Sequence, residues 1–291
     1  MEKVTLYIPC FDAERTIKEC LDSVIAQTYP INEIIIIDDG CQDKTMDIVS
    51  KYPVRVIKHD RNKGLAVARN TAFKECRNDF VAALDADCAA HSDWLKQIMD
   101  CFSQGDIAGA GGILIERHTN SVADKWRALH MSQAWGKEAI ENPPFLYGNN
   151  TVFRKSIVKS MGMYNEIFRN NYEDVCLSAS FYDKGFNLVY NPKGIVEHLR
   201  QDTVLSVLRT YRNWQYHRNI KIDKTANFSR IIAAQLGGIL DLPNDILDIL
   251  GQDWQVRNYK LVFIGLVAVF YYPWLNIKYL IYSFISWISK K

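Results

Sequence analysis

The chain has 291 residues, 48% of them hydrophobic, which suffices for one large domain with an appendage or for two small ones. Its 35 Lys and Arg nearly cancel its 33 Asp and Glu, so no global field argues for nucleic acid or another polyanion as a partner. Seven cysteines, an odd number without a C-x-x-C pair, fit scattered buried thiols better than a disulfide framework or zinc site and read as reduced thiols of a cytosolic compartment. The start, MEKVTLYIPC, has no apolar signal region before a cleavage site, so no export is expected.

The first hundred residues alternate between two periods, as βαβ units around a largely parallel sheet do. Residues 4–8 read as a buried strand, and 13–27 as a helix that ends before Tyr29-Pro30. Four consecutive isoleucines at 34–37 suit a central strand covered on both faces, and DDG follows at once. A third strand is expected at 54–57, a helix at 65–76 and a fourth strand at 80–84, closed by LDADC. In open α/β sheets ligands gather beyond the carboxyl ends of the strands, and IPCFD, DDGCQDKT and DADC all fall there. Further on, 108–116 reads as a strand, Glu173-Asp174 as a helix start, and 188–190 and 195–196 as strand pieces followed by His198.

The carboxylates carry the chemistry. Asp85 and Asp87, at i and i+2 of extended chain, can turn their oxygens to one side, where like charges repel unless a cation lies between them. Hard oxygen ligands favour Mg²⁺ or Mn²⁺, and these favour a phosphate-bearing substrate. The alternative is N-capping of a helix after Cys88. Asp38 and Asp39 can accept from a base N–H or a ribose hydroxyl, with Gly40 permitting the turn. G-x-G-x-x-G and the Walker pattern are both missing, which argues against a dinucleotide or ATPase site. Arg69, in NKGLAVARN, reads either as a surface helix residue or as a planar fork for phosphate.

Taken together, IPCFDAERTIKECLDSVIAQTYPINEIIIIDDGCQDKT, NKGLAVARN, LDADC and YEDV resemble, in order and distance, the family 2 glycosyltransferases of the GT-A fold, over about residues 1–200. The resemblance implies a mixed, mostly parallel Rossmann-like sheet flanked by helices. It implies an inverting transfer of one sugar from a nucleotide-sugar, most often a UDP-sugar, to a hydroxyl of a glycan or lipid-linked glycan. Pro9 would line the nucleotide cleft and Asp39 would hold the base. Asp85 and Asp87 would form the D-x-D motif, Asp87 touching Mn²⁺ or Mg²⁺ and Asp85 nearer the ribose or donor sugar. His198 would be a third metal contact, against the alternative of a satisfied histidine at a strand end. Asp174 would be the catalytic base, Glu173 its partner in positioning the acceptor, and Asn149 and Asn150 contacts to donor sugar or acceptor.

The chain departs from the processive synthases, which carry Q-x-x-R-W; here TVLSVLRTYRNWQYHRN has Arg212 and Trp214 at another spacing, so processive synthesis is not expected. Its basic set, Arg209, Arg212, Arg218 and Lys221, reads as a solvated face or as a contact to lipid or acceptor phosphates. From 261 to 288 Lys278 alone is charged, and Pro273 splits the run into halves, each shorter than the ~20 residues of a straight span. Two short helices in one leaflet, one kinked span, or soluble packing all remain open. The expected organisation is a catalytic domain at 1–225, a helical linker at 226–260 and a membrane-associating segment at 261–291, on the cytoplasmic side of the inner membrane. Two other classes compete: a non-catalytic nucleotide-sugar-binding scaffold, opposed by the joint presence of DAD, ED and His198, and a nucleotidyltransferase, opposed by the lack of a Gly-rich basic loop after the first strand.

Overall fold

The computed structural model describes residues 1–103, 107–169, 171–219, 249–253 and 260–267. The chain divides into two units, Met1–Arg117 with Ser132–Arg200, and His118–Met131 with Gln201–Lys291.

In the first unit the order runs β1 (Val4–Cys10), α1 (Ile17–Ile25), β2 (Glu33–Asp38), α2 (Thr45–Val49), β3 (Arg55–Lys58), α3 (Leu65–Glu75), β4 (Phe80–Leu84), β5 (Cys88–Ala90) and α4 (Trp94–Asp100). With β6 (Ile107–Glu116), the second unit's α5 (Val122–His130), β7 (Ile140–Glu141), β8 (Asn150–Arg154), α6 (Lys155–Ser160), α7 (Glu173–Asp183) and β9 (Asn187–His198), the element order reaches residue 198. The described strands form one sheet in the order β3-β2-β1-β4-β8-β6-β9-β5, with β7 paired to β9.

The sheet is mixed. β3, β2, β1 and β4 run parallel, as do β6 and β9, but β8 returns antiparallel between β4 and β6, and β5 and β7 run antiparallel to β9. It is therefore less parallel than the βαβ alternation of the first hundred residues suggests. Strand periodicity shows in the isoleucine run: Ile36 joins the apolar cluster on one face, Ile35 and Ile37 that on the other, and all three are buried. Each such burial stabilises by roughly 1.5–3 kcal/mol. Helix α1 covers the first face with Ile17, Cys20, Leu21 and Val24, spaced as one helical stripe, and α3 covers the second with Ala66, Ala72 and Phe73. Pro9 is tolerated in β1 because the pairing to β4 stops at Tyr7, leaving Pro9 paired only to β2 at Ile37.

Two local expectations are corrected. DADC is followed by a strand, β5, and a helix begins only at Trp94, so Asp87 caps no helix. The two strand pieces before His198 are one strand, β9, which pairs with β6 through register shifts between Ile107 and Gly109 and between Gly111 and Ile113.

In the second unit, α5 is capped by Ser121, whose hydroxyl accepts from Asp124 N at 3.0 Å. Trp126 meets Tyr211 of α8 (Val204–Asn219) edge-on at 5.0 Å, Arg127 pairs with buried Asp202, and His130 Nε2 lies 2.7 Å from Asp253 Oδ1. Arg209 is exposed and Arg212 half-buried, while the side chain of Arg218 and residue Lys221 lie outside the described residues. Of the expected apolar tail, 261–267 is helical and 268–291 lies outside the described residues, as do 226–248 and 254–259 of the expected linker. Among the described residues no helix is long and apolar enough to cross a membrane. All seven cysteines are free.

Candidate active site

The parallel pairing of β1 with β2 sets Cys10 beside Asp38, and Asp39 N donates to the Cys10 carbonyl at 2.9 Å. Gly40 follows at φ 86°, where a Cβ would meet the Arg61 carbonyl carbon at 2.8 Å. From this turn the two aspartates diverge. Asp38 Oδ1 accepts from Gly40 N at 3.2 Å and Cys41 N at 2.8 Å, which closes the turn itself. Asp39 Oδ1 accepts from Lys63 N at 2.9 Å and lies 2.7 Å from His59 Nδ1, while its Oδ2 accepts from Gly64 N at 2.9 Å. Buried Asp39 thus ties the NKG loop and the start of α3 to the end of β2. His59, whose Nε2 lies 2.9 Å from Thr71 Oγ1, completes that tie and was not singled out from sequence.

Arg69 is neither on the surface nor free to swing. Its side chain is 2% exposed. Nη1 donates to the Gly148 carbonyl and to Tyr7 Oη, Nη2 lies 3.1 Å from Asp85 Oδ1, and Nε lies 3.3 Å from Glu173 Oε1. A Cβ on Gly148 would come within 2.9 Å of the guanidinium carbon, so the loop approaches Arg69 only as glycine. Burial pushes the Asp85 carboxyl above its ordinary value, against the pull of Arg69. Burial, with the neighbouring charge of Asp174, pushes Glu173 up to about 8. One guanidinium therefore joins the DAD loop, the GNN loop and the start of α7.

Asp87 stands apart from this hub. Its Oδ2 lies 3.3 Å from His198 Nε2, and its side chain is 39% exposed. Pairing of β5 with β9 sets Cys88 opposite His198, which brings the two together. Burial alone would raise Asp87, but the charge and hydrogen bond of His198 outweigh it and hold the carboxyl at about 2. For His198 burial works downward, and Asp87 and Glu116 override it, lifting the imidazole to about 9. Glu116 Oε2, 2.8 Å from His198 Nδ1, was not singled out from sequence; the available signal was an acid at the carboxyl end of a sheet strand.

Asn149 and Asn150 part company. Asn150 opens β8 with both N–H groups donated to carbonyls, of Ile113 at 2.9 Å and Gly194 at 3.2 Å, and its oxygen accepts from Trp94 Nε1 at 2.6 Å. Asn149 donates to Gln133 Oε1 at 2.7 Å, and its own buried oxygen has no partner among the described residues. Asp174, half-buried, accepts from Gly148 N at 2.9 Å through Oδ2 and from Val175 N at 2.8 Å through Oδ1.

The residues fit a divalent cation in part. Asp87 Oδ2 and His198 Nε2 face each other at 3.3 Å, near the about 3 Å between adjacent ligands of an octahedral ion with ~2.1 Å bonds. Asp85 is held by Arg69 at 3.1 Å and does not form, with Asp87 and His198, a trio of ligand atoms within 4.8 Å of one another. Among the described residues a different trio, Asp12, Cys41 and Asp43, has its ligand atoms within 4.8 Å of one another. Those aspartates accept from the backbone of Gln42, Glu14 and Thr45 and so serve loop structure.

A family model described as Glycosyl transferase family 2 matches residues 5–162, more than half of the chain. The chain belongs to that family. Glycosyltransferase AglE of Haloferax volcanii is 26% identical to this family 2 chain over 195 residues, 64% of each protein. Poly-beta-1,6-N-acetyl-D-glucosamine synthase of Staphylococcus epidermidis is 25% identical over 227 residues, 74% of this chain and 54% of the synthase. The family 2 chain thus matches between 54% and 64% of the length of these curated relatives. In fold it is similar to a mannosyltransferase, PcManGT of Pyrobaculum calidifontis, solved with GDP-Man and Mn²⁺, at TM-score 0.59 and 16% identity over 92% of this chain and 86% of that one. GalNAc-T7, solved with UDP, GalNAc and Mn²⁺, gives TM-score 0.59 and 15% identity over 85% of this chain and 58% of that one.

Proposed function

We propose that the protein is an inverting, metal-assisted glycosyltransferase that moves one sugar from a nucleotide-sugar, probed first as a UDP-sugar, to a hydroxyl of a glycan or lipid-linked glycan. The observation that carries the reading is the Arg69 hub, which ties the loop bearing Asp85 and Asp87 to the helix start bearing Glu173 and Asp174. Mn²⁺ in the two mannosyl- and GalNAc-transferase neighbours, and their different nucleotides, support a metal while leaving the donor to experiment.

In the proposed reaction the acceptor oxygen forms the new bond to the anomeric carbon from the face opposite the diphosphate, which leaves with the electrons of the broken bond. Asp174 takes the acceptor proton, since each of its oxygens keeps a lone pair beyond its one backbone bond. Asp87 and His198, with Asp85, would hold a divalent ion, which offsets negative charge gathering on the leaving diphosphate. Arg69 acts through Asp85 and Gly148 by fixing where they stand. Asp38, which keeps one carboxylate oxygen outside the turn, and Pro9 line the nucleotide side, while Asp39 supports that wall from behind. Asn149, with its unpartnered oxygen, is the contact proposed for donor sugar or acceptor.

The apolar run after residue 260 supports a further part of the reading, that the catalytic unit works at the cytoplasmic face of the inner membrane on a lipid-borne acceptor. Removing residues 259–291 tests that part, and unchanged membrane association would end it. The activity itself is tested by screening nucleotide-sugars for Mn²⁺- or Mg²⁺-dependent release of nucleoside diphosphate. Release with one donor, lost on chelation, is expected; no release with any donor and acceptor would overturn the proposal.

A further inference from the structure

We infer that Glu116 is a positioning residue for the cation site: by accepting the Nδ1–H of His198 it turns Nε2 toward Asp87 and makes Nε2 the nitrogen offered to the ion. The inference rests on the reading of Asp87 and His198 as cation ligands.

Parallel pairing of β6 with β9 sets Glu116 directly opposite His198. Oε2 of Glu116 lies 2.8 Å from Nδ1, and the two side chains are 6% and 7% exposed. The other ring nitrogen, Nε2, lies 3.3 Å from Asp87 Oδ2. An imidazole between two acceptors can present a lone pair at one nitrogen only if the other keeps its proton. Glu116 is the buried partner of that proton, and Asp87 is the exposed one. A cation entering from solvent therefore meets Nε2. A carboxylate in this position also makes the ring a better electron-pair donor.

Stability alone does not account for an acid there. Glu116 Oε1 is buried and has no hydrogen-bond partner among the described residues, which is unfavourable for a carboxylate. The neighbouring Arg117 does not compensate it, since its guanidinium pairs with Glu19 and Glu197. What Oε2 does is hold one ring in one orientation.

The test uses the full chain and Mn²⁺ alone. Electron paramagnetic resonance reports free Mn²⁺, hence affinity, and its pulsed form reports coupling to a bound imidazole nitrogen. Wild type, His198→Ala, Glu116→Leu and Glu116→Gln are compared, with circular dichroism to verify folding. Glu116→Leu is expected to weaken Mn²⁺ binding about 10–100-fold and to reduce the nitrogen coupling, whereas Glu116→Gln, which keeps an acceptor for Nδ1–H but not the charge, falls between it and wild type with the coupling retained. Should Glu116→Leu not fold, Glu116→Met carries the same expectation. A folded leucine or methionine variant that binds Mn²⁺ as wild type does, with unchanged coupling, overturns the inference alone. So does a glutamine variant as weak as the leucine one. Wild type without nitrogen coupling, or binding indifferent to His198→Ala, overturns the cation-site reading and this inference with it.

Discussion

Arg69 Nε lies 3.3 Å from Glu173 Oε1, while Nη2 of the same guanidinium lies 3.1 Å from Asp85 Oδ1, and both Arg69 and Glu173 are almost wholly buried. Two acids from distant parts of the chain, buried Glu173 and partly exposed Asp85, thus share one buried cation. Removing it leaves Asp85 without its counter-charge and buried Glu173 without its partner, the expensive way to break a buried pair. Arg69→Met is expected to lower unfolding free energy by about 3–5 kcal/mol. Arg69→Lys should recover only part of this, because an ammonium cannot reach Gly148, Asp85 and Glu173 as a planar fork does. Urea unfolding measures both, and a lysine variant as stable as wild type would show that charge rather than geometry matters.

The same pair sets a pH dependence. Glu173 is pushed up to about 8 in the fold, from an ordinary value of 4.5. Between those values the folded protein keeps a proton that the unfolded chain has released, so stability falls as pH rises. The contribution is complete below about pH 4.5 and is lost as pH climbs through about 8. Glu173→Gln, which mimics the protonated acid, should flatten this slope, while wild type loses urea midpoint across the window. Parallel slopes in the two proteins would show that Glu173 is ionised in the fold.

Part of this arrangement was legible in the sequence. The isoleucine run marked a two-sided strand because burial on both faces removes the polar alternation, and 80–84 was bounded on both sides by polar residues. Arg69 stands three residues after Ala66 and four before Phe73, on the stripe that α3 buries, so its burial had a local signal. Its partners had none, since Gly148 and Glu173 reach it only through β8 and α7. Asn150 read as a loop residue because nothing local shows that β8 begins there, and the gap between the two parts of β9 came from Pro192 and Gly194, which the register shift accommodates.

Asp38 and Asp39 are adjacent, yet they should respond differently to the same change. Asp39→Asn places an amide where backbone N–H groups of Lys63 and Gly64 converge on two oxygens, so one donor loses its partner at about 1–3 kcal/mol. Asp38→Asn can keep Oδ1 on Gly40 N and Cys41 N, and its stability should stay close to wild type. Thermal melts separate structural loss from loss of nucleotide affinity. If Asp39→Asn melts as wild type does but fails to bind nucleotide, the residue works at the ligand and not behind it.

Asp174 offers the sharpest separation of binding from chemistry. Its Oδ2 accepts from Gly148 N at 2.9 Å, so it sits on the loop that Arg69 also holds, while the guanidinium itself bonds to Tyr7, Gly148 and Asp85. Asp174→Asn can keep an oxygen on Gly148 N while losing the ability to take a proton, which leaves the loop in place. Transfer should fall about 10²–10⁴-fold, the usual weight of a general base. Nucleoside diphosphate affinity and Mn²⁺ affinity should change little, because Asp87, His198 and the nucleotide wall are untouched. Calorimetry with nucleoside diphosphate, run beside turnover, distinguishes the outcomes: transfer that persists moves the base to another group, and affinity that collapses with transfer makes Asp174 part of the donor pocket.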